Sequence, residues 1–241
     1  LLWSNNLWLT AVSNIWIFTI ASLVINFSLG FLLAVFMDQN IKQENLLRSV
    51  FLYPFAMSLY VTGLAWQWIL DPNLGLQTAV QSWGWTDFKF APLGDPTQAI
   101  IGLIIGGCWQ GVGVTMAILL AGIRGVDQEV WKAARIDGIP KWQTYLFIVL
   151  PMMRGAVATA LVLQVTGLIR TFDIVVSMTG GGPGISTEMP AMYVIQAIQQ
   201  RLNVGQGSAS ATMMLAPIAL LLIVRAIVQW RSERRAGLNA S

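Results

Sequence analysis

Few of the side chains that usually do chemistry are available here. The 241 residues include no histidine and one cysteine, Cys108, set in an apolar run with no base beside it. A single cysteine cannot close an intrachain disulfide, and no spacing suggests a metal site. No G-x-x-x-x-G-K-[ST] segment is present to cradle a nucleotide phosphate. The long apolar blocks lack a central carboxylate of the kind used for ion coupling. What remains is hydrogen bonding by uncharged groups. Gln110 sits in CWQGVGV beside Gly111, and Gln164, Leu168 and Thr171 recur at i, i+4 and i+7 on one helix face. Such groups suit sugar hydroxyls; equally, they serve to bond neighbouring helices, with the glycines as packing points.

These groups must be held by membrane-spanning helices. The chain is 56% hydrophobic and 10% charged, with a mean hydropathy of +0.65, whereas soluble domains are about one quarter charged. Five blocks are long enough to cross about 30 Å of hydrocarbon: residues 7–37, 49–70, 99–123, 145–169 and 208–230. Each is expected to be helical, because backbone groups in lipid must bond within their own segment and no barrel-like alternation is present. Pro54 and Pro217 are expected to kink helices. No signal peptide precedes the first block, and an N-terminal span is expected to be missing from this all-α, polytopic bundle, read as one domain over 1–241.

Charge placement orients the bundle. Lys42, Arg48, Arg124, Lys132, Arg135, Lys141, Arg231, Arg234 and Arg235 fall on one side. The other side holds Lys89, Arg170 and Arg201 with Asp71, Asp87, Asp95, Asp173 and Glu188. The positive-inside rule makes the first side and the C-terminus cytoplasmic. Outside, Trp83 and Trp85 suit an interfacial belt, and the MTGGGPG run, with Gly180, Gly181, Gly182, Pro183 and Gly184, is open to reading as a packed loop or an exposed one. Asn14, Asn26 and Ser28 receive no role, and Arg225 is read as snorkelling to headgroups.

The wettest segment, EVWKAARIDGIPKWQTYLFIVLP, spans 129–151 between two apolar blocks. Asp127 is a suitable N-cap and Glu129 a first-turn acid. Gly138 suits the left-handed position after the helix, and Pro140 opens the next one. A solvated helix has no need of Ala133 and Ala134 together, so the predicted short helix, sharp turn and second helix suit docking against a partner, with a solvated or membrane-surface helix as the alternative reading.

The order of Ala133, Ala134, Asp137, Gly138, Leu150 and Pro151 resembles the cytoplasmic EAA signature of permease subunits in binding-protein-dependent ABC importers. RSVFLYPFAMSLYVTGLAWQWILDPNLG and TFDIVVSMTGGGPGISTEMPAMYVIQ are similar to the maltose and glycerol-phosphate branch, with further likeness to permeases for glucose and small glycosides. The resemblance implies a non-catalytic subunit of a sugar importer in a bacterial-type inner membrane. It implies as partners a second permease, an ATPase dimer that binds ATP and Mg, an external sugar-binding protein and lipid, with no nucleic acid. The coupling loop would comprise Glu129, Lys132, Ala133, Ala134, Asp137 and Gly138, although Lys132 stands where the signature has an acid. By position, the sugar path would include Phe55, Leu59, Gln110, Gly111, Gln164, Leu168 and Thr171. The glycines of 180–184 would lie where the loaded binding protein docks. The alternatives are an ABC permease for a non-sugar solute and a stand-alone transporter or channel.

Overall fold

The computed structural model describes residues 2–39, 41–167, 171–217, 219, 220 and 223. Among them every regular element is helical. The first, α1 (Asn6–Met37), starts where the Asn5 side chain accepts hydrogen bonds from the backbone N–H groups of Leu7 and Trp8. Its 32 residues extend about 48 Å at 1.5 Å per residue, more than a bilayer core requires.

The polarity of α1 is inverted relative to a soluble helix. Its exposed face carries Ile20, Val24 and Leu32 at 58%, 60% and 65% exposure, while Asn14, Thr19, Ser22 and Asn26 are buried. A helix surrounded by lipid sorts its side chains this way. The inner stripe Phe18, Ser22, Asn26, Gly30 and Ala34 recurs every fourth residue and packs on α5 (Ala99–Arg124). Close approach depends on small residues. A side chain at Gly30 would meet Thr115 at 2.8 Å, one at Gly107 would meet Phe18 at 3.0 Å, and one at Gly111 would meet Asn26 at 3.0 Å.

Residues 49–70, expected as one span, are instead two helices, α2 (Glu44–Ala56) and α3 (Leu59–Ile69), bent by 101°. Pro54 lies inside α2, and the break follows at Met57 and Ser58, both extended, with Ser58 Oγ accepting from the Val61 N–H. The kink expected at Pro54 is realised as a full corner three residues later, whose sharpness the apolar run did not show because each half is apolar enough to continue the other. α2 lies directly on α5, its Phe51 carbonyl against Gly113.

After a short outer helix, α4 (Leu76–Ser82), and α5 comes α6 (Gln128–Ile136), then α7 (Lys141–Met152), which widens into a π turn over Thr144–Val149. The expected span 145–169 is likewise broken: α7 and α8 (Arg154–Gly167) are bent by 78° around Met153. Next, α9 (Thr171–Met178) packs on α3, and Ser177 fills the space left by Gly63. α10 (Pro190–Ile195) and a helix over 204–217 complete the described elements. Of the expected fifth span, 208–230, residues 218, 221, 222 and 224–230, Arg225 among them, lie outside the described residues, as do Arg231, Arg234 and Arg235.

Two apolar clusters hold the bundle. One joins Phe18, Leu103 and Cys108 to Ile174 and Met178; the other joins Ala34 and Met37 to Met116, Leu120, Tyr145 and Val149. The buried members of the first cluster stop at Phe18 on α1 and Cys108 on α5, and those of the second begin at Ala34 and Met116, leaving the middle of the bundle to other groups.

Candidate functional site: a central cavity and a cytoplasmic helix

That middle region is a cavity of about 790 Å³. It brings together Phe55 and Leu59 from either side of the α2–α3 break, Gln110 and Gly111 from α5, Gln164 from α8 and Thr171 at the start of α9. Leu168 lies outside the described residues. Six residues selected from three separate stretches of sequence thus line one space, of a size that suits a small-molecule ligand.

The lining is more structural than the sequence suggested. Gln110 Nε2 donates to the Met57 carbonyl at 2.8 Å, bonding backbone freed by the break. Gln164 Nε2 donates to Thr115 Oγ1 at 3.1 Å, and that hydroxyl donates to the Gly111 carbonyl, also at 3.1 Å. Gln164 Oε1 has no partner. Sequence reasoning missed the contribution of α1, whose Thr19, Ser22 and Asn26 form one wall, as well as Ser58, Thr115 and Asp173. Asp173, assigned to an outer stretch, opens α9 and faces this cavity. The fourfold spacing of polar residues through α1 was the available signal, obscured by the strength of its apolar face.

At the end bearing the α1 C-terminus, α6 forms as its caps dictate. Asp127 accepts from the Glu129 N–H at 2.9 Å. Gly138 has φ +70°, its N–H bonds the Arg135 carbonyl at 3.2 Å, and the Ile139 N–H bonds the Ala134 carbonyl at 2.9 Å. This is a Schellman ending, which requires the left-handed residue glycine supplies. Glu129, Lys132, Ala133 and Ile136 are exposed along one face, Ile136 at 85%. The two alanines part company here. Ala134 is 4% exposed and packs within its own chain, so only Ala133 is free for an outside partner. Lys132 and Glu129 approach to 3.7 Å in full solvent, a pair worth little.

Behind α6 the helix ends are tied together. The Trp131 ring meets Tyr145 edge-on at 5.0 Å, and the Tyr145 hydroxyl donates to Asp38 at 2.6 Å. Arg124 reaches Asp38 at 3.8 Å and Glu44 at 2.8 Å, and Arg48 also reaches Glu44 at 3.4 Å. Through these contacts α6 is linked by way of α7 to the ends of α1, α2 and α5.

The MTGGGPG run occupies the opposite end as a packed loop. Gly180, Gly181 and Gly184 have φ of +61°, +92° and +63°, and the Gly182–Pro183 peptide is cis. Thr187 Oγ1 donates to the Gly182 carbonyl at 2.8 Å, and Asn14 Nδ2 donates to the carbonyls of Ser186 and Glu188, both at 2.9 Å. Glu188 is 4% exposed, and this burial raises its pKa above the ordinary carboxylate value, against the pull of Gln196 and Arg201.

Helices with apolar outer faces around a central cavity define a membrane protein, and comparison with known proteins assigns the family. Residues 26–237 match the family described as binding-protein-dependent transport system inner membrane component, and the chain belongs to it. It is similar to a probable ABC transporter permease protein of Pyrococcus horikoshii, 34% identical over 203 residues, covering 84% of this chain and 69% of that one. An osmoprotective compounds uptake permease protein of Synechocystis sp. is 31% identical over 237 residues, covering 93% and 76%. A xylose/arabinose import permease protein of Haloferax volcanii is 27% identical over 216 residues, covering 88% and 67%. In fold the chain resembles a bacterial ABC transporter involved in the import of alginate, with TM-score 0.80 and 20% identity over 95% of this chain and 81% of that one.

Proposed function

We propose that this chain is the permease subunit of an ATP-driven sugar importer, with the central cavity as its half of the solute path and α6 as its coupling helix. The observation that carries the reading is the cavity itself, a space of about 790 Å³ lined by apolar and uncharged polar side chains together, within helices whose outer faces are apolar. Phe55 and Leu59 offer apolar surface to sugar rings, and Gln164, Gly111 and Thr171 offer polar edges. Gln110, which lines the same space, also holds the corner at Met57 through its Nε2.

The exposed face of α6, with Ala133 and Ile136, docks in a cleft of an ATPase subunit that supplies ATP and Mg. Glu129, three residues before Lys132 on the same face, provides the carboxylate that the signature places at position 132. Motion of α6 passes through Trp131, Tyr145 and Asp38 to α1, and through Arg124 to α2. A second permease completes the path, residues 1–241 act as one domain with a cytoplasmic C-terminus, and the loaded binding protein docks at the end bearing Gly180–Gly184. The chain itself carries out no hydrolysis.

The test is ATP hydrolysis by the complex of this chain with its partner permease, ATPase and binding protein, reconstituted in lipid and challenged with mono- and disaccharides. Stimulation by one loaded sugar is expected. Stimulation instead by a charged or zwitterionic osmolyte favours the second reading, a non-sugar permease, to which the osmoprotectant-uptake relative lends weight.

A further inference from the structure

We propose that Asn26, on the first spanning helix, is a solute-binding residue of the cavity, taking the hydroxyls of an uncharged polyhydroxylated compound together with Gln164. The inference rests on the reading of the cavity as the solute path.

Asn26 is 6% exposed, lies midway along α1 and lines the cavity. Its Oδ1 is buried without a hydrogen-bond partner. Its position in the seam calls for a small or apolar residue: Gly30 and Ala34 continue the same fourfold row, and Gly111 leaves just enough room for the carboxamide. An amide in that row without partners costs stability. Asn14, three turns earlier on α1, shows the usual resolution, with both hydrogens of its Nδ2 committed to carbonyls of the outer loop. Asn26 has no such commitment among the described residues, so its hydrogen-bonding capacity is available to what enters the cavity.

Gln164 supplies the complement. Its Nε2 is used by Thr115, while Oε1 is unpartnered. Two carboxamides of the cavity wall thus have oxygens without a partner inside the chain, and the Asn26 Nδ2 is uncommitted among the described residues, so a small side-chain rotation would offer a donor and acceptors together, a match for hydroxyls, which do both. Asp173 is the one ionisable side chain among the described lining residues, and no lysine or arginine is among them. Among those described residues an anionic solute finds no counter-charge, whereas a neutral polyol does not need one.

The experiment compares wild type, Asn26→Leu and Asn26→Ser in the reconstituted complex. It measures uptake of radiolabelled glucose, xylose, trehalose and glucuronate, the melting temperature of the purified complex, and ATP hydrolysis stimulated by loaded binding protein. Asn26→Leu is expected to lower uptake of the transported neutral sugar at least tenfold. Its melting temperature should equal or exceed that of wild type, because an unpaired amide has been removed. Asn26→Ser, which keeps a hydroxyl, is expected to retain an intermediate rate, and glucuronate is not taken up by any of the three. Undiminished uptake by Asn26→Leu overturns the proposal, as does a complex that falls apart, which would make Asn26 an assembly residue. A wild-type complex that takes up none of the neutral sugars overturns the importer reading and this proposal together.

Discussion

Gln110 and Met57 stand 53 residues apart in sequence, yet the Gln110 side chain holds the Met57 carbonyl at 2.8 Å, at the point where α2 turns by 101° into α3. A corner inside a membrane leaves backbone groups without helical partners, and Gln110 is the side chain that accommodates one of them. Gln110, one of the residues placed by position on the sugar path, therefore also sets the shape of the cavity wall.

Replacement of Gln110 by leucine should leave that carbonyl unpaired, at a cost of about 1–3 kcal/mol. The expected result is a lower melting temperature for the purified complex together with reduced uptake. Loss of uptake without any thermal effect would argue for direct contact with solute.

Tyr145→Phe keeps the ring that meets Trp131 but removes the 2.6 Å hydrogen bond to Asp38. A bond to a carboxylate is worth about 1.5–3 kcal/mol, less where water competes. Basal hydrolysis by the assembled complex should persist while stimulation by loaded binding protein falls several-fold. Assay of both rates on one preparation separates this outcome from failed assembly.

Gly138→Ala should weaken the turn after α6 by about 1 kcal/mol, since φ is +70° and nothing lies within 4 Å of the added carbon. Gly138→Asn, which accepts that conformation more readily, should recover most of the coupling. Equal activity of both variants and wild type would show that the turn tolerates strain.

At the outer end, Gly181→Ala should damage the loop more than Gly180→Ala. Both have positive φ, but only at Gly181 would the new carbon meet the Glu188 carboxylate, at 2.7 Å. Amide hydrogen exchange across 179–188, along with binding-protein affinity, ranks the two. Normal uptake and assembly in both variants would remove the docking role.

Glu188 makes this end sensitive to pH. Because burial raises its folded-state pKa, the folded loop binds more protons than the unfolded one between the two values. Loop stability is then greatest below the unfolded value of 4.5 and declines as pH rises through the raised folded value. Glu188→Gln should flatten that dependence, measured by hydrogen exchange of the 179–188 amides across a pH series, with rates corrected for intrinsic exchange. An unchanged slope would mean another group titrates.

How much of this was legible depended on the range of the interactions. Caps are local: Asp127 and Gly138 announce the ends of α6 because their partners are two to four residues away. Likewise, an apolar block has to be a helix in lipid whatever surrounds it. Pro54 marked a kink near Met57, but the sharpness of that corner and the one at Met153 were hidden, since a bend in an apolar run is stabilised by side chains such as Gln110 that arrive from elsewhere.

The division at the cavity is of the same kind. Residue type alone marked Gln110, Gly111, Gln164 and Thr171 as unusual in apolar surroundings, because polar groups are costly there wherever they end up. Their meeting with Phe55 and Leu59 around one space, the different duties of Ala133 and Ala134, and the separation of Asn14 from Asn26 were decided by tertiary packing. A sequence specifies how many hydrogen bonds each side chain offers. Only the fold determines which of them are satisfied inside the chain and which are left for a ligand.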